Sequence, residues 1–283
     1  MESESTALVQ AQRQKADRQH DQDRFNQGFD KFADRGLDSA RLIAAAPDGF
    51  STDHLEARAD RFLTEVVFQS KVIGARPWVG IAHLGVFYGF VAFGLYTAVE
   101  AINGLGLVDL RHNTFFTIYR WLLVPFALAV LVGIVALAIR RGILRPAGLG
   151  TTVSKESILI AGFIATLMVT YLLTFCIADD SLAGRVNWWV HALVILAFLA
   201  LIPASKHLHL VLSPATVFLK SLELGRVPNL DFEKEEMGLE AVKDLPKKSV
   251  LDALTCVECG RCQVNCPAFG AGKALNPKAL ILN

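Results

Sequence analysis

YRWLLVPFALAVLVGIVALAI, residues 119–139, is an apolar run carrying one charged residue, Arg120, near its start. A helix needs roughly 20 predominantly apolar residues to cross the hydrocarbon of a bilayer. Three further segments meet that requirement: Trp78 to about Ile102, about Ile158 to Ala178, and Trp188 to Leu212. Aromatic residues suited to the membrane–water interface stand near several of the ends, among them Trp78, Tyr119, Trp121, Trp188 and Trp189. The pattern predicts an all-α membrane protein built on a four-helix transmembrane bundle.

Composition agrees. Of 283 residues, 53% are hydrophobic and 19% charged, whereas a soluble domain carries about 25% charge. The net charge of +1 offers no concentrated basic face, which sets nucleic acid aside as a partner. Met1–His20 lacks the apolar core of a signal peptide. Basic residues crowd the connection between the second and third spans, at Arg140, Arg141, Arg145 and Lys155, against Arg111 and Arg185 in the other two loops. The positive-inside rule therefore assigns that loop to the cytoplasm, and with four spans both termini follow it.

Outside the spans, residues 1–75 read as a cytoplasmic helical region. Phe25, Phe29 and Phe32 recur at helical spacing, and Ser51 is a candidate cap for a helix carrying Leu55, Phe62, Leu63, Val66 and Val67. Residues 76–212 form the transmembrane domain. Residues 213–246 comprise a short interfacial helix over Ser213–Leu224 and an acidic linker. Residues 247–283 are a small α-helical module defined by its cysteines.

Four of the five cysteines lie in Cys256-Val-Glu-Cys259-Gly-Arg-Cys262-Gln-Val-Asn-Cys266-Pro267. This is the C-x2-C-x2-C-x3-C-P run of ferredoxin-type 4Fe–4S modules, whose fourth cysteine ligates the other cluster in two-cluster proteins. Zinc is the competing reading, but tetrahedral zinc sites pair two separated C-x2-C elements. Such crowding in a reducing compartment argues against disulfides. Cys256, Cys259 and Cys262 then hold one cubane, and Cys266 reaches for a second whose own motif does not appear before Asn283. The expectation is a front portion of a longer protein with two clusters, or a cluster completed by a partner. Cys176 reads as a small apolar filler. Gln263 and Asn265 are candidate donors to cluster sulfur, and Arg261 reads as a solvated charge.

Ionisable residues inside spans are expensive and point to function. His83 lies in the first span, His191 near the outer start of the fourth, and His207 and His209 near its cytoplasmic end. On one continuous helix, His191 and His209 are eighteen residues or five turns apart and share a face, while His207 turns towards headgroups beside Lys206. His83 and His209 match in depth on the cluster side. A haem b between them fits, and hydrogen bonding between helices is the alternative. His191 stays open between a second haem, a quinone headgroup and a helix bridge. Glu100, His112 and Arg120 are weaker quinone or propionate candidates on the outer side.

Ile81-Ala82-His83-Leu84, Tyr88-Gly89-Phe90, Trp189-Val190-His191, Ile202-Pro203-Ala204-Ser205-Lys206-His207-Leu208-His209 and Ser213-Pro214 together resemble the membrane domain of fused iron–sulfur oxidoreductases. In that family a haem domain similar to the gamma subunit of respiratory nitrate reductase precedes a ferredoxin module and a heterodisulfide-reductase-like cysteine-rich domain. The resemblance covers roughly Lys71 to Asn283. It implies that His83, His191 and His209 are haem-ligand candidates, with Cys256, Cys259, Cys262 and Cys266 as cluster ligands. It implies electron passage between a cytoplasmic donor, such as electron-transfer flavoprotein, and quinone in a bacterial inner membrane. The first span holds one histidine where the nitrate reductase subunit has two. A second reading is a non-catalytic membrane anchor that relays electrons within a larger respiratory or heterodisulfide-reductase-like complex. A transporter with a regulatory cluster is a third, disfavoured by the absence of broken-helix pairs.

Overall fold

The computed structural model describes residues 32–47, 49–107, 109–110, 113–146, 149, 154–222, 244–273 and 275–282. Among them every regular element is a helix. Four helices are long and apolar enough to cross a membrane. They are α4 (Pro77–Gly104), α5 (Thr114–Ile139), α6 (Lys155–Leu173) and α7 (Leu182–Leu201). Short helices precede them: α1 (Phe32–Ala45), α2 (Leu55–Phe62) and α3 (Ser70–Ala75). Five more follow: α8 (His209–Phe218), α9 (Lys247–Leu254), α10 (Arg261–Val264), α11 (Pro267–Gly270) and α12 (Pro277–Leu282). The helical bundle and its helical cysteine module are therefore both present as read from the sequence. Phe25, Phe29, His112, Arg111 and most of the acidic linker lie outside the described residues.

The chain divides into two compact units, one comprising Gln69–Pro146 and Val153–Leu199, the other Met1–Phe68, Ala147–Thr152 and Ala200–Asn283. The first holds the spans. Pro77 opens α4, where its missing N–H costs nothing. Asn113 caps α5, its Oδ1 accepting from the Phe115 amide at 2.8 Å. A wider turn, Arg140–Leu144, extends α5 at its basic end.

Span packing rests on small residues and a narrow core. A Cβ added at Gly89 would meet Val130 Cγ2 at 2.0 Å, and one at Gly133 would meet the Ala82 carbonyl oxygen at 2.8 Å. The α4 and α5 backbones thus approach closely through glycine, as membrane helices do where lipid supplies no hydrophobic drive. Leu123, Ala127, Val130, Met168 and Tyr171 form the buried centre, flanked by Phe93 and Tyr96. Tyr171 donates its hydroxyl to the Arg120 carbonyl at 2.6 Å, and Tyr119 donates to that of Ala92 at 2.8 Å. Elsewhere the spans turn large apolar side chains outward, Trp78 standing 86% exposed. Such a surface suits hydrocarbon rather than water. The fourth span, α7, is tied to α6 by polar contacts: Asn187 Nδ2 donates to the Thr170 carbonyl at 2.9 Å.

Several boundaries differ from the sequence expectation: the second span starts at Thr114 and the third ends at Leu173. The fourth span ends at Leu201, not Leu212, and turns through Ile202–Ser205 before a 3-10 turn at Lys206–Leu208. Pro203 has no N–H to offer the Leu199 carbonyl, so the α-ladder stops there. The following helix is accordingly His209–Phe218 rather than one beginning at Ser213. Ser51 does not cap α2. His54, at φ 58°, holds that position, and Ser51 Oγ donates to Asp53 at 3.0 Å.

In the second unit α2 turns Arg58, 3% exposed, inward, while Leu55 and Leu63 face out. The guanidinium donates to the Asp53 carbonyl at 2.6 Å, to the carbonyls of Phe218 at 2.9 Å and Lys220 at 3.2 Å, and to Ser51 Oγ at 3.2 Å. It thereby satisfies carbonyls at the C-terminal end of α8 that no helical amide can reach. Val250 and Leu251 of α9 are buried, and the Lys247 amide donates to the Pro47 carbonyl at 3.2 Å.

Candidate functional site

The cysteine loop starts where α9 stops. Two residues in the left-handed region, Glu258 at φ 55° and Gly260 at φ 73°, turn the chain back on itself. Cys256 and Cys259 flank the first of them, Cys262 sits in the one-turn helix α10, and Cys266 caps α11 ahead of Pro267. For glycine the left-handed conformation is free of penalty, but for glutamate it is a cost that surrounding contacts must hold. None of these cysteines is in a disulfide, Cys259 and Cys262 being exposed and Cys256 and Cys266 half-buried.

Burial pushes the Cys256 thiol up, and a hydrogen bond from the Glu258 amide pulls it down. The nearby Cys259, the Glu258 carboxylate and Cys262 add to the rise. Cys259 and Cys262 are therefore within electrostatic reach of Cys256. Among the described residues no three His, Cys, Asp or Glu side chains are drawn together as a ready metal site. The donor chemistry nonetheless fits an iron–sulfur cluster: four thiols outside any disulfide, on a loop where the Glu258 amide bonds the Cys256 sulfur. Gln263, also on this loop, is buried with Oε1 lacking a hydrogen-bond partner. Asn265 instead donates to the Arg261 carbonyl within its own turn at 2.9 Å.

Three of the histidines singled out in the sequence, His83, His191 and His209, have Nδ1 engaged. His83 Nδ1 meets Gln69 Oε1 at 2.8 Å, Gln69 being buried at φ 49°. His191 Nδ1 meets Thr170 Oγ1 at 2.7 Å, and that hydroxyl donates its proton to the Thr166 carbonyl at 2.7 Å. His209 Nδ1 meets the Lys206 carbonyl at 2.7 Å. A carbonyl and an amide oxygen can only accept, which puts the proton on Nδ1 and the lone pair on Nε2 in His83 and His209. Metal-ligating histidines are oriented in this way, by a second partner on the other nitrogen.

His207 and His209 lie ring to ring, centroids 5.6 Å apart at 71°. Burial, with the positive charges of His209 and Lys206 nearby, drives the His207 imidazole down to about 3, which keeps it neutral. Burial also lowers His209, partly offset by its bond to Lys206. The break after Leu201 removes the continuous helix on which His191 and His209 would share a face. Lys206 does not reach for headgroups: it is buried and pairs with Glu258, Nζ to Oε1 at 3.1 Å. On the outer side, Arg120 donates to Thr174 Oγ1 at 3.3 Å and lies over the Phe175 ring at 4.8 Å, so none of these contacts is to Glu100. The Lys206–Glu258 pair and the Arg58 cluster were not visible in the sequence. Glu258 sits inside the cysteine motif, which was the one available hint.

No family model matches the chain, and no solved structure does. Among curated proteins, 101 residues (34% of the chain) are 45% identical to the "Probable iron-sulfur-binding oxidoreductase FadF" of Bacillus subtilis. A longer stretch, 253 residues or 76% of the chain, is 26% identical to the "EtfAB:quinone oxidoreductase" of Syntrophomonas wolfei. These likenesses support an iron–sulfur oxidoreductase. A third match, 43% identical over 53 residues (19% of the chain), is to the "Probable membrane-anchored ferredoxin" of Chromohalobacter salexigens. The chain spans 14%, 35% and 8% of those three relatives in turn.

Proposed function

We propose that this chain is the membrane and first-cluster portion of a quinone-linked iron–sulfur oxidoreductase in a bacterial inner membrane. Electrons pass between a cytoplasmic donor, such as electron-transfer flavoprotein, and the quinone pool through 4Fe–4S clusters and haem b. The observation that carries this reading is a complete C-x2-C-x2-C-x3-C-P run on the same chain as four membrane-crossing helices. The Syntrophomonas wolfei relative, named for EtfAB and quinone, supports the choice of partners. The basic residues Arg140, Arg141, Arg145 and Lys155 support a cytoplasmic cluster module.

Cys256, Cys259 and Cys262 hold one cubane, and Cys266 extends towards a second. Bound clusters and haem supply one-electron chemistry that side chains cannot. The chain's own residues set where that chemistry happens. The Glu258 amide donates to Cys256 sulfur, which lowers the cost of negative charge there. His83 and His209 present Nε2 for haem b, their rings turned by Gln69 and by the Lys206 carbonyl. His191, held by Thr170, is the candidate for a second haem or a quinone headgroup.

The likeness to a membrane-anchored ferredoxin favours a second reading, an anchor that relays electrons to a separate enzyme. Iron, zinc and pyridine-haemochrome analysis of the purified membrane protein tests both. Four or more irons per chain with b-type haem is the expected result. Zinc in place of iron refutes the cluster, and the absence of haem refutes the histidine assignment. His83→Ala and His209→Ala each abolish the reduced b-type absorbance. Quinone reduction by the full protein, without another enzyme, separates the oxidoreductase from the relay.

A further inference from the structure

The cysteine loop and the segment that follows the fourth span are joined by one ion pair out of water. Lys206 Nζ and Glu258 Oε1 stand 3.1 Å apart, and their side chains are 6% and 4% exposed. The Arg41–Asp38 pair, at 76% and 57%, stands in solvent, and the Arg61–Glu65 pair, at 21% and 14%, is less deeply covered. Taking two charges out of water costs about as much as pairing them returns, so a buried pair is a poor source of stability. It does penalise every arrangement in which one charge loses the other. Glu258 also carries the positive φ between Cys256 and Cys259, and its amide donates to Cys256 sulfur. At the opposite end, the Lys206 carbonyl accepts from His209 Nδ1. This contact thus ties the backbone that surrounds the first two cysteines to the residue that orients His209.

We infer that Lys206 and Glu258 form a latch that seats the cysteine loop on the segment carrying His209, and that their balanced charge tunes the cluster held by Cys256, Cys259 and Cys262. The inference rests on the cluster reading above and deepens it. With the pair intact, the cation and the carboxylate nearly cancel at the cluster. Lys206→Met takes one positive charge from beside the Glu258 carboxylate, so reduction becomes harder. Glu258→Gln leaves the Lys206 cation, so reduction becomes easier. A unit charge at this range shifts the ratio of reduced to oxidised cluster by about tenfold, or ~59 mV for one electron.

The experiment is a redox titration of the cubane signal by electron paramagnetic resonance in the full membrane protein, with hydrogen exchange of amides 256–266. Lys206→Met is expected to lower the midpoint and Glu258→Gln to raise it. Lys206→Arg and the double variant Lys206→Met/Glu258→Gln return it close to the starting value. Exchange over 256–266 rises about tenfold or more in both single variants. Shifts in the same direction, or none, overturn the charge effect, because simple loosening of the loop has no sign. Unchanged exchange overturns the latch. If the unmodified protein gives no cubane signal, the cluster reading fails and the charge effect with it, while exchange still decides the latch.

Discussion

Replacing Gly133 by alanine puts one methyl group where two spans touch. Its Cβ would stand 2.8 Å from the Ala82 carbonyl oxygen and 3.3 Å from Val86 Cγ2. The first neighbour is backbone and cannot rotate away, so the α4 and α5 axes must part locally by ~0.6 Å to reach ordinary contact. Overpacking of this kind costs about 1–3 kcal/mol. Three other glycines grade the effect. At Gly85 the nearest atom to an added Cβ is the Ala129 carbonyl oxygen at 3.6 Å, which is ordinary contact. At Gly94 nothing lies within 4 Å, so alanine there is neutral or gains up to ~0.5 kcal/mol from restricting the unfolded chain. At Gly89 the obstacle is Val130 Cγ2 at 2.0 Å, and a β-branched side chain in a helix has few rotamers in which to yield. Unfolding in mixed detergent micelles, followed by tryptophan fluorescence, should rank the variants Gly94→Ala, Gly85→Ala, then Gly133→Ala and Gly89→Ala as least stable. Ala82 precedes His83, so Gly133→Ala should also disturb the histidine beside the strained seam. A Gly133→Ala protein as stable as Gly94→Ala would refute close approach of these spans.

Arg58→Met removes the Arg58 guanidinium bonds to the Phe218 and Lys220 carbonyls, while Arg61 still donates to Lys220 at 3.2 Å. A loss of about 2–4 kcal/mol is expected in thermal unfolding, and a change under 0.5 kcal/mol would contradict the burial of Arg58. Thr170→Val deprives His191 Nδ1 of its hydrogen-bond partner and should cost about 0.6 kcal/mol, the average for hydrogen bonds between membrane helices, read by the same detergent unfolding. Cys259→Ser should remove the cubane signal in electron paramagnetic resonance. Cys266→Ser should leave it and alter a second cluster in the longer protein; equal loss from both variants would mean that all four cysteines serve one cluster.

Hydropathy located the four spans because the bilayer imposes one length and one polarity on any helix that crosses it. Their ends were less legible. The apolar run through Ile202 continues past Leu201 in composition, and only the missing amide of Pro203 marks the stop. The cysteine motif was legible because its spacers are short and local. Arg58 was not, since a charged residue on an amphipathic helix normally marks the solvent face, and two of its acceptors, the Phe218 and Lys220 carbonyls, lie 160 and 162 residues along the chain. Lys206 misled for the same reason: its partner is 52 residues away, and its neighbours suggested lipid headgroups. The histidines could be named from the sequence, but which nitrogen carries the proton in His83 and His209 depended on Gln69 and a backbone oxygen. Only folding brings those acceptors to the rings.

Lys206 serves two neighbours through two different atoms. His209 is oriented by the main-chain oxygen, which every amino acid possesses, while the cysteine loop is gripped by the ammonium, which lysine supplies here. Substitution at this position is therefore selective by construction: it can release the loop without rotating the imidazole. The attachment of the cysteine module and the orientation of the ring can therefore be engineered one at a time.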